Sequence, residues 1–449
     1  MSKSPKTGLF SRSLSLAKIS VSAGAKAAQY GLGGLFRDKA QQIEAGKKLL
    51  EQQVRYLTKE ARELKGAFAK VGQVLSTYGE SFLPPEVNAI LKSLQSQIEP
   101  LPIATIERLL EERLGPERAR TLKLDPTPLG AASLGQVHRA RILPGGNEIA
   151  VKVRYPGIEK AIDADLRLIR FMLSSAKIVP ADMPKSRFTE IFSEARSVLK
   201  QEVDYSQELA LLKRYREKLA GDPRFVCPVP VDEYCGEGVV ATTLIPGVRV
   251  DSAQVKALSQ SRRNRLATHL MELFLMEFLD WNLVQTDPHF GNYLIQIDPV
   301  GEDDKWVLLD FGAVRSFSET FKDSYLTLLC GVLANSEAQT LEGGEKMGLV
   351  DATDDAEVRQ AFVQLARLAG EALLAPAERP FCYASSDLPQ RIAKVAPAVI
   401  YRLKMRLPPR EMVSFDRKLT GVYVHLVNLG AKLSFRDRVA EKLKGRLSD

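Results

Sequence analysis

The sequence is poor in the residues that build metal or disulfide frameworks. Four cysteines and four histidines are spread over 449 positions. Cys227, Cys235, Cys330 and Cys382 form no C-x-x-C pair, and no histidine stands at metal-ligand spacing from them. A disulfide scaffold and a structural zinc site are therefore not expected, and the thiols fit a reducing compartment. Long apolar runs are missing as well. The charge-free stretch Leu419–Ala431 falls well short of the roughly 20 apolar residues that cross a bilayer. No segment shows the charged, apolar and small-residue succession of a secretory signal. These absences predict a protein that is soluble or rests on a membrane surface without spanning it.

Acidic residues are missing from the first 37 positions. Residues 1–65 carry 13 Lys and Arg against 5 Asp and Glu, so the whole net charge of +8 sits there and the remainder is balanced at 50 of each. Nucleic-acid enzymes spread basic residues over a folded domain, so no nucleic-acid partner is expected. The head mixes lysines with Leu9, Phe10, Leu14, Ile19, Leu35 and Phe36. That mixture suits an anionic membrane surface, at about 1 kcal/mol per lysine; a solvated tail fits the same composition. A mitochondrial transit segment would be arginine-rich, and this one favours lysine.

Hydrophobic residues make up 45% and charged residues 26%, an ordinary globular composition. Periodicity predicts a helical extension through the first hundred residues, interrupted at Pro84–Pro85, with helices over 86–97 and 103–113. Strands follow over 135–143 and 148–154, separated by Pro144-Gly-Gly-Asn147. Helices are expected over 157–176 and, as one long element, 186–219; then strands over 225–231 and 237–245, a helix over 263–281 and short strands near 293–297 and 306–309. After Ser316 the pattern is almost wholly helical. The chain divides on this basis into a basic segment (1–40), a helical extension (41–115), a β-rich lobe with inserted helices (116–246) and a mostly helical lobe (247–449).

The chemistry concentrates in Gln285-Thr-Asp-Pro-His-Phe-Gly-Asn292, followed by Leu309-Asp-Phe-Gly312. A carboxylate and an amide five residues apart, with a second carboxylate past the next strand, supply oxygen ligands of the kind Mg²⁺ takes beside nucleotide phosphates. The order D-x-x-x-x-N, then D-F-G, is that of kinase phosphoryl transfer. On this reading Asp287 is the base or the group that orients the nucleophile, and Asn292 and Asp310 are metal ligands. Upstream, Ile149-Ala-Val-Lys152 fits the strand lysine that meets the α- and β-phosphates. Its glutamate partner is either Glu202 or Glu208, six apart on the expected long helix.

The loop expected before Lys152, Pro128–His138, holds Gly130, Ala131, Ala132 and Ser133 where a protein kinase has G-x-G-x-x-G. Alanine narrows the allowed backbone, so nucleotide is expected to be held differently. No A-P-E follows the D-F-G, and Ala313–Phe317 leads almost directly into a helix. A long activation segment has no room, which disfavours a protein substrate. H-R-D is absent too, with Gln285-Thr-Asp in its place.

These residues resemble the UbiB family of atypical kinase-like proteins, associated with coenzyme Q biosynthesis, from about residue 60 to about residue 432. Lys70-Val-Gly-Gln73 is similar to that family's K-x-G-Q motif, and Phe82-Leu-Pro-Pro-Glu86 and the alanine-rich segment match its pattern. Glu202-Val-Asp204 looks like its E-x-D, and Glu208 like the partner of the nucleotide lysine. The resemblance implies an α+β, protein-kinase-like bilobal fold with a helical N-terminal extension over the cleft. It implies ATP and Mg²⁺ as cofactors, with Lys70 and Gln73 gating the site and Lys70 directed towards Glu202 and Asp204. It implies an ATPase or small-molecule kinase supporting ubiquinone biosynthesis. A slow or inactive nucleotide-binding scaffold of a membrane-associated complex is the rival. Expected partners are an isoprenoid lipid or quinone precursor and biosynthetic-complex proteins or a second copy. The expected location is cytoplasmic, peripheral on the inner membrane, or mitochondrial in a eukaryote. An antibiotic-type kinase shares the catalytic loop but not K-x-G-Q. Three departures stand out: Gly130 opens the alanine run, Phe290 replaces a proline, and Ala241-Thr-Thr243 lacks a glutamate at the hinge.

Overall fold

The alternation in Glu148-Ile-Ala-Val-Lys-Val-Arg154 organises the first half of the molecule. In the computed structural model, which describes residues 67–79, 88, 91–92, 100–131, 134–175, 185–301, 303–403, 406 and 409–444, this segment is strand β3 (Glu148–Arg154). Ile149, Val151 and Val153 are buried on one face, while Ala150, Lys152 and Arg154 point to the other. The expectations for residues 1–40, for the helical run before residue 67, for Phe82–Glu86 and for Ala132 and Ser133 lie outside the described residues, as does most of the helix expected over 86–97.

The chain forms two units, Met1–Lys213 with Val229–Leu244, and Arg214–Pro228 with Ile245–Asp449. The first holds an antiparallel sheet in the order β1-β2-β3-β5, built from β1 (Leu122–Ala131), β2 (Gly135–Ile142), β3 and β5 (Val239–Thr243). Helix α1 (Ala67–Gly79) and helix α2 (Ile103–Leu114) precede it. Ile106, Leu109, Leu110 and Leu114 recur at helical spacing on α2 and pack with Ile149, Val151, Val153 and Tyr234 in one core. Each fully buried Leu or Ile contributes about 1.5–3 kcal/mol. The opposite face of β3 is thereby left to Lys152.

Strand β1 departs from the expectation of a loop at Pro128. Gly130 and Ala131 pair with Val137 and Gln136, after register shifts on either side of Pro128. Prolines are tolerated because β1 is the edge strand of its sheet.

The short helix α3 (Pro116–Arg120) lies before β1. After β3 come α4 (Ile158–Ser175), α5 (Lys185–Glu202) and α6 (Tyr205–Lys218). Helix α1 packs on α4 and α5; Val71 and Leu75 of α1, Ile162 and Ile169 of α4, and Ala195 and Leu199 of α5 are all buried. The single helix expected over 186–219 is instead two. The break falls at Val203–Asp204, because Asp204 starts a new helix: its carboxylate accepts the Gln207 amide at 3.0 Å and the Ser206 hydroxyl at 2.5 Å. Such an N-cap contributes about 0.5–2 kcal/mol.

The second unit contains a four-stranded sheet in the order β4-β9-β8-β6, from β4 (Phe225–Val226), β6 (Val248–Arg249), β8 (Tyr293–Gln296) and β9 (Lys305–Leu308). A separate antiparallel pair joins β7 (Val284–Gln285) to β10 (Val314–Arg315). Before β7 run α7 (Ala253–Lys256) and α8 (Gln260–Leu275), which ends in a π-helical turn, Met276–Asp280. Beyond β10 the unit is helical apart from one short β pair, as the sequence pattern predicts. Its helices are α9 (Glu319–Leu333), α10 (Glu337–Lys346), α11 (Ala356–Ala369), α12 (Glu371–Leu374), α13 (Leu388–Arg402), α14 (Arg410–Asn428) and α15 (Arg436–Lys442). Phe415 of α14 is fully buried among Phe274, Phe278, Phe317, Phe321 and Tyr325, with ring centroids 4.5–5.7 Å away. That aromatic core fixes the rotation of α14, which matters for the residues after it. Among the described residues no helix is long and apolar enough to cross a membrane.

Candidate functional site

In the first unit, Lys152 reaches from the open face of β3 to Glu208 on the first turn of α6. Its Nζ lies 2.7 and 2.8 Å from the two carboxylate oxygens. The glutamate side chain is 6% exposed and the lysine 25%, so the pair is sheltered and the lysine only partly exposed. Tyr205 lies beneath it, its ring centroid 5.1 Å from Nζ. The approach depends on Gly135, where a Cβ would meet the Tyr205 hydroxyl at 2.5 Å and the Val153 carbonyl at 2.6 Å.

Glu202 is on the other side of the helix break and meets a different lysine. Lys70 Nζ lies 2.9 Å from Glu202 Oε2. Asp204, expected near Lys70, spends its carboxylate on the α6 N-terminus instead, and the Ser206 hydroxyl and Gln207 amide hold it below the usual carboxylate range. Arg154 pins the turn between them by donating to the Val203 carbonyl at 2.6 Å. Gln73 is exposed on α1, its carbonyl accepting from the Ser76 hydroxyl. Gly130 and Ala131 sit on β1, beside the undescribed Ala132 and Ser133.

In the second unit, β7 delivers Gln285 and Asp287, and the chain returns through β8 and β9 to Asp310. The Asn292 side-chain amide donates to the Asp287 carbonyl at 2.8 Å, which leaves its oxygen as the atom able to ligate. Leu309 donates its backbone N–H to the Asn292 carbonyl at 3.0 Å. Asp310 accepts from the Gly312 amide at 2.8 Å. Thr286 closes the base of the loops through its hydroxyl and amide, both on the Ala313 carbonyl. Glu277, Gln285, Asn292, Tyr293, Asp310 and Phe311 line one small cavity. No cluster of three or more His, Cys, Asp or Glu suited to a metal occurs among the described residues. An Asn and an Asp offering hard oxygen atoms still fit Mg²⁺, which uses one or two protein carboxylates beside waters and substrate phosphates.

Helix α14 clamps this loop, a feature the sequence reading missed. Arg417 Nη2 lies 2.7 Å from Asp287 Oδ1. His425 Nε2 is 3.0 Å from the Pro288 carbonyl; a carbonyl only accepts, so Nε2 carries the proton. Burial pushes the His425 ring down to about 4, so it is neutral at pH 7. Phe290, the residue standing in a proline's place, sets its ring edge-on against His425 at 4.7 Å. A Cβ on Gly421 would fall 1.9 Å from Pro288 Cγ. Next to Arg417, Lys418 is fully buried with its Nζ 2.6 Å from Glu277 Oε2. The Tyr215 hydroxyl also reaches Glu277, at 3.0 Å, and the Leu283 carbonyl, at 2.8 Å. Burial pushes the Glu277 carboxyl up, with Lys418 and Tyr215 pulling against it. No local motif marks Arg417 or Lys418, and the sequence pattern after Ser316 predicts no more than helix there.

A strand lysine paired to a helix glutamate, and D-x-x-x-x-N and D-F-G loops laid on adjoining strands, make this a mixed α+β, kinase-like fold. Residues 93–342 match the family described as the ABC1 atypical kinase-like domain, and the chain belongs to that family. It is 31% identical over 372 residues to "Atypical kinase coq-8, mitochondrial" of Caenorhabditis elegans, covering 83% of this chain and 48% of the relative. It is 28% identical over 387 residues to "Atypical kinase COQ8, mitochondrial" of Saccharomyces cerevisiae, covering 86% and 75%. The chain thus spans about half the length of the worm relative, and 58% of a Danio rerio COQ8B that is 31% identical. Among solved structures it is similar to Mycobacterium tuberculosis Rv3197, determined as a complex with erythromycin, at a TM-score of 0.59 and 25% identity, over 90% of this chain and 98% of that one.

Proposed function

We propose that the protein is an ATP- and Mg²⁺-dependent enzyme that hydrolyses ATP or phosphorylates a small lipid-like molecule, in support of isoprenoid-lipid (ubiquinone) metabolism. The observation that carries the reading is the two-oxygen grip of Glu208 on Lys152. A buried carboxylate holding the ammonium of a partly exposed lysine makes a preformed site for phosphate oxygens, with no reorganisation left to the moment of reaction. In this reading Lys152 and Glu208 position the phosphates, with Gly130, Ala131, Ala132 and Ser133 beside them. Asn292 and Asp310 hold Mg²⁺, which when bound neutralises charge on the β- and γ-phosphates. Asp287 orients the attacking water or hydroxyl. Its ion pair with Arg417 suits an orienting carboxylate, because a loose phosphoryl-transfer transition state demands little proton abstraction. Lys70, paired with Glu202, and Gln73 gate access. The relatives' printed names, atypical kinases of mitochondria, support this class; the short path from Asp310 to α9 supports a small acceptor over a protein one.

The test is ATP hydrolysis by the full-length protein with and without lipid or detergent. Wild type should hydrolyse ATP, lipid should stimulate it, and Asp310→Asn should abolish it. Normal hydrolysis by Asp310→Asn would reject the site. The rival, a nucleotide-binding scaffold of a membrane-associated complex, is favoured by one observation: Asp287 is already engaged by Arg417. Tight nucleotide binding with no phosphate release under any lipid condition would select it. The basic first 40 residues are assigned to an anionic membrane surface, on the inner membrane or its mitochondrial counterpart. Binding to anionic vesicles should be released by high salt.

A further inference from the structure

We propose that Gln285 is a positioning residue: its side-chain amide sets the spacing between the Asp287 loop and the Asp310 loop, and so the arrangement in which Asn292 and Asp310 take up a divalent cation. The proposal rests on the phosphoryl-transfer reading above. Gln285 is buried, and its amide is used at both ends. Nε2 donates to the Asp287 carbonyl at 2.9 Å and the Asp310 carbonyl at 3.4 Å. Oε1 accepts from the Asp287 amide at 3.1 Å and the Tyr293 hydroxyl at 3.2 Å. Two donor and two acceptor contacts are the whole capacity of such a group.

The placement of those four contacts is what matters. The Asp287 carbonyl also receives the Asn292 amide at 2.8 Å, so Gln285 and Asn292 meet on one oxygen. The other Gln285 donor contact lies on the backbone of the second ligand residue, Asp310. Meanwhile the Gln285 main chain pairs with Val314 in the strand just past D-F-G. One planar side chain therefore ties the backbone of Asp287 to that of Asp310 and meets Asn292 on a shared carbonyl oxygen, from a position paired to β10. Groups that orient metal ligands in this way are worth about 10- to 100-fold in metal affinity or activity. Glutamate has the same shape but would turn an oxygen, not a donor, towards two carbonyls.

The experiment compares full-length wild type, Asp310→Asn and Gln285→Glu. It measures Mg²⁺ half-saturation of ATP hydrolysis and, by calorimetry, affinity for ATP with and without Mg²⁺. In Gln285→Glu the half-saturation should rise and Mg²⁺-dependent ATP affinity should fall, each by about 10-fold or more, while metal-free ATP affinity stays. A weakening of both nucleotide forms alike would indicate general loosening and overturn the proposal, as would an unchanged Mg²⁺ dependence. Normal hydrolysis by Asp310→Asn rejects the underlying reading. A dead Asp310→Asn beside a Gln285→Glu with ordinary Mg²⁺ dependence rejects only the role of Gln285. If Gln285→Glu does not fold, Tyr293→Phe decides. It removes one contact to Oε1 and should shift Mg²⁺ half-saturation the same way by about two- to tenfold; no shift overturns the proposal.

Discussion

Arg417 and Asp287, 130 positions apart, form an ion pair 2.7 Å long at the candidate catalytic loop. Both side chains are about one-quarter exposed, at 23% each, so the contact does more to orient the carboxylate than to stabilise the fold. Arg417→Ala should lower kcat for ATP hydrolysis about 10- to 100-fold and leave ATP affinity near that of wild type. Arg417→Lys keeps the charge but loses the planar fork, and should fall between. Faster hydrolysis by Arg417→Ala would identify the arginine as a restraint on Asp287.

Breaking the Lys152–Glu208 pair should separate binding from folding. Lys152→Met leaves a buried carboxylate without its cation. The cost is about 1–3 kcal/mol, less than for a fully buried pair because Lys152 remains partly exposed. Hydrolysis should fall about 100-fold or more. Glu208→Gln keeps the packing and should be milder in stability but similar in rate. Calorimetric ATP affinity together with thermal melting checks both, and wild-type turnover in either variant would contradict the assignment.

Acid should loosen the hold of α14 on the Asp287 loop. Burial lowers His425 from its ordinary 6.5 to about 4, and His269 likewise. Between those values the unfolded chain binds protons that the folded one does not, so stability rises with pH across the interval. The contribution is complete above about 6.5 and drains away as pH falls towards 4, by up to about 3 kcal/mol per histidine. Gln at position 425 can still donate to the Pro288 carbonyl but does not titrate. The melting temperature of His425→Gln should therefore drop less than that of wild type between pH 7 and pH 5. Equal drops would count against this cause.

Gly130→Ala tests the small-residue strand. A Cβ there meets nothing within 4 Å, and the residue is not among those with positive φ, so alanine should fold as well as glycine or slightly better. Any change in the relative affinities for ATP and ADP then reports on backbone freedom beside the nucleotide. Unchanged affinities for both would show that this position does not shape nucleotide preference.

Local pattern carried much of this architecture. The alternation around Lys152 and the turn at Pro144–Asn147 place β2 and β3 within a residue of where they lie. The D-x-x-x-x-N and D-F-G spacing puts its carboxylates at strand ends. What was not legible depends on long-range packing. Arg417 meets Asp287 only because Phe415 is anchored in an aromatic core two residues earlier. Gln285 stood in plain view within the loop motif, but its contacts, three to backbone groups of Asp287 and Asp310 and one to the Tyr293 hydroxyl, join segments that only the folded chain brings together. The helix break at Asp204 was legible in principle. Asp204 followed by Gln207 is a capping pattern, masked by apolar periodicity on both sides. Strand β1 was hidden by Pro126 and Pro128, which argue against a strand except at a sheet edge.

The break at Val203–Asp204 has a mechanical consequence. Glu202 ends one helix and Glu208 belongs to the next, so the two carboxylates do not ride on a common rod. A torsional change at two backbone positions can swing the arm that Lys70 holds while the arm that holds Lys152 stays put. Arg154, fastened to the carbonyl between them, marks the pivot. A continuous helix would have made the two ion pairs form and part together; a capped joint lets each be opened without the other.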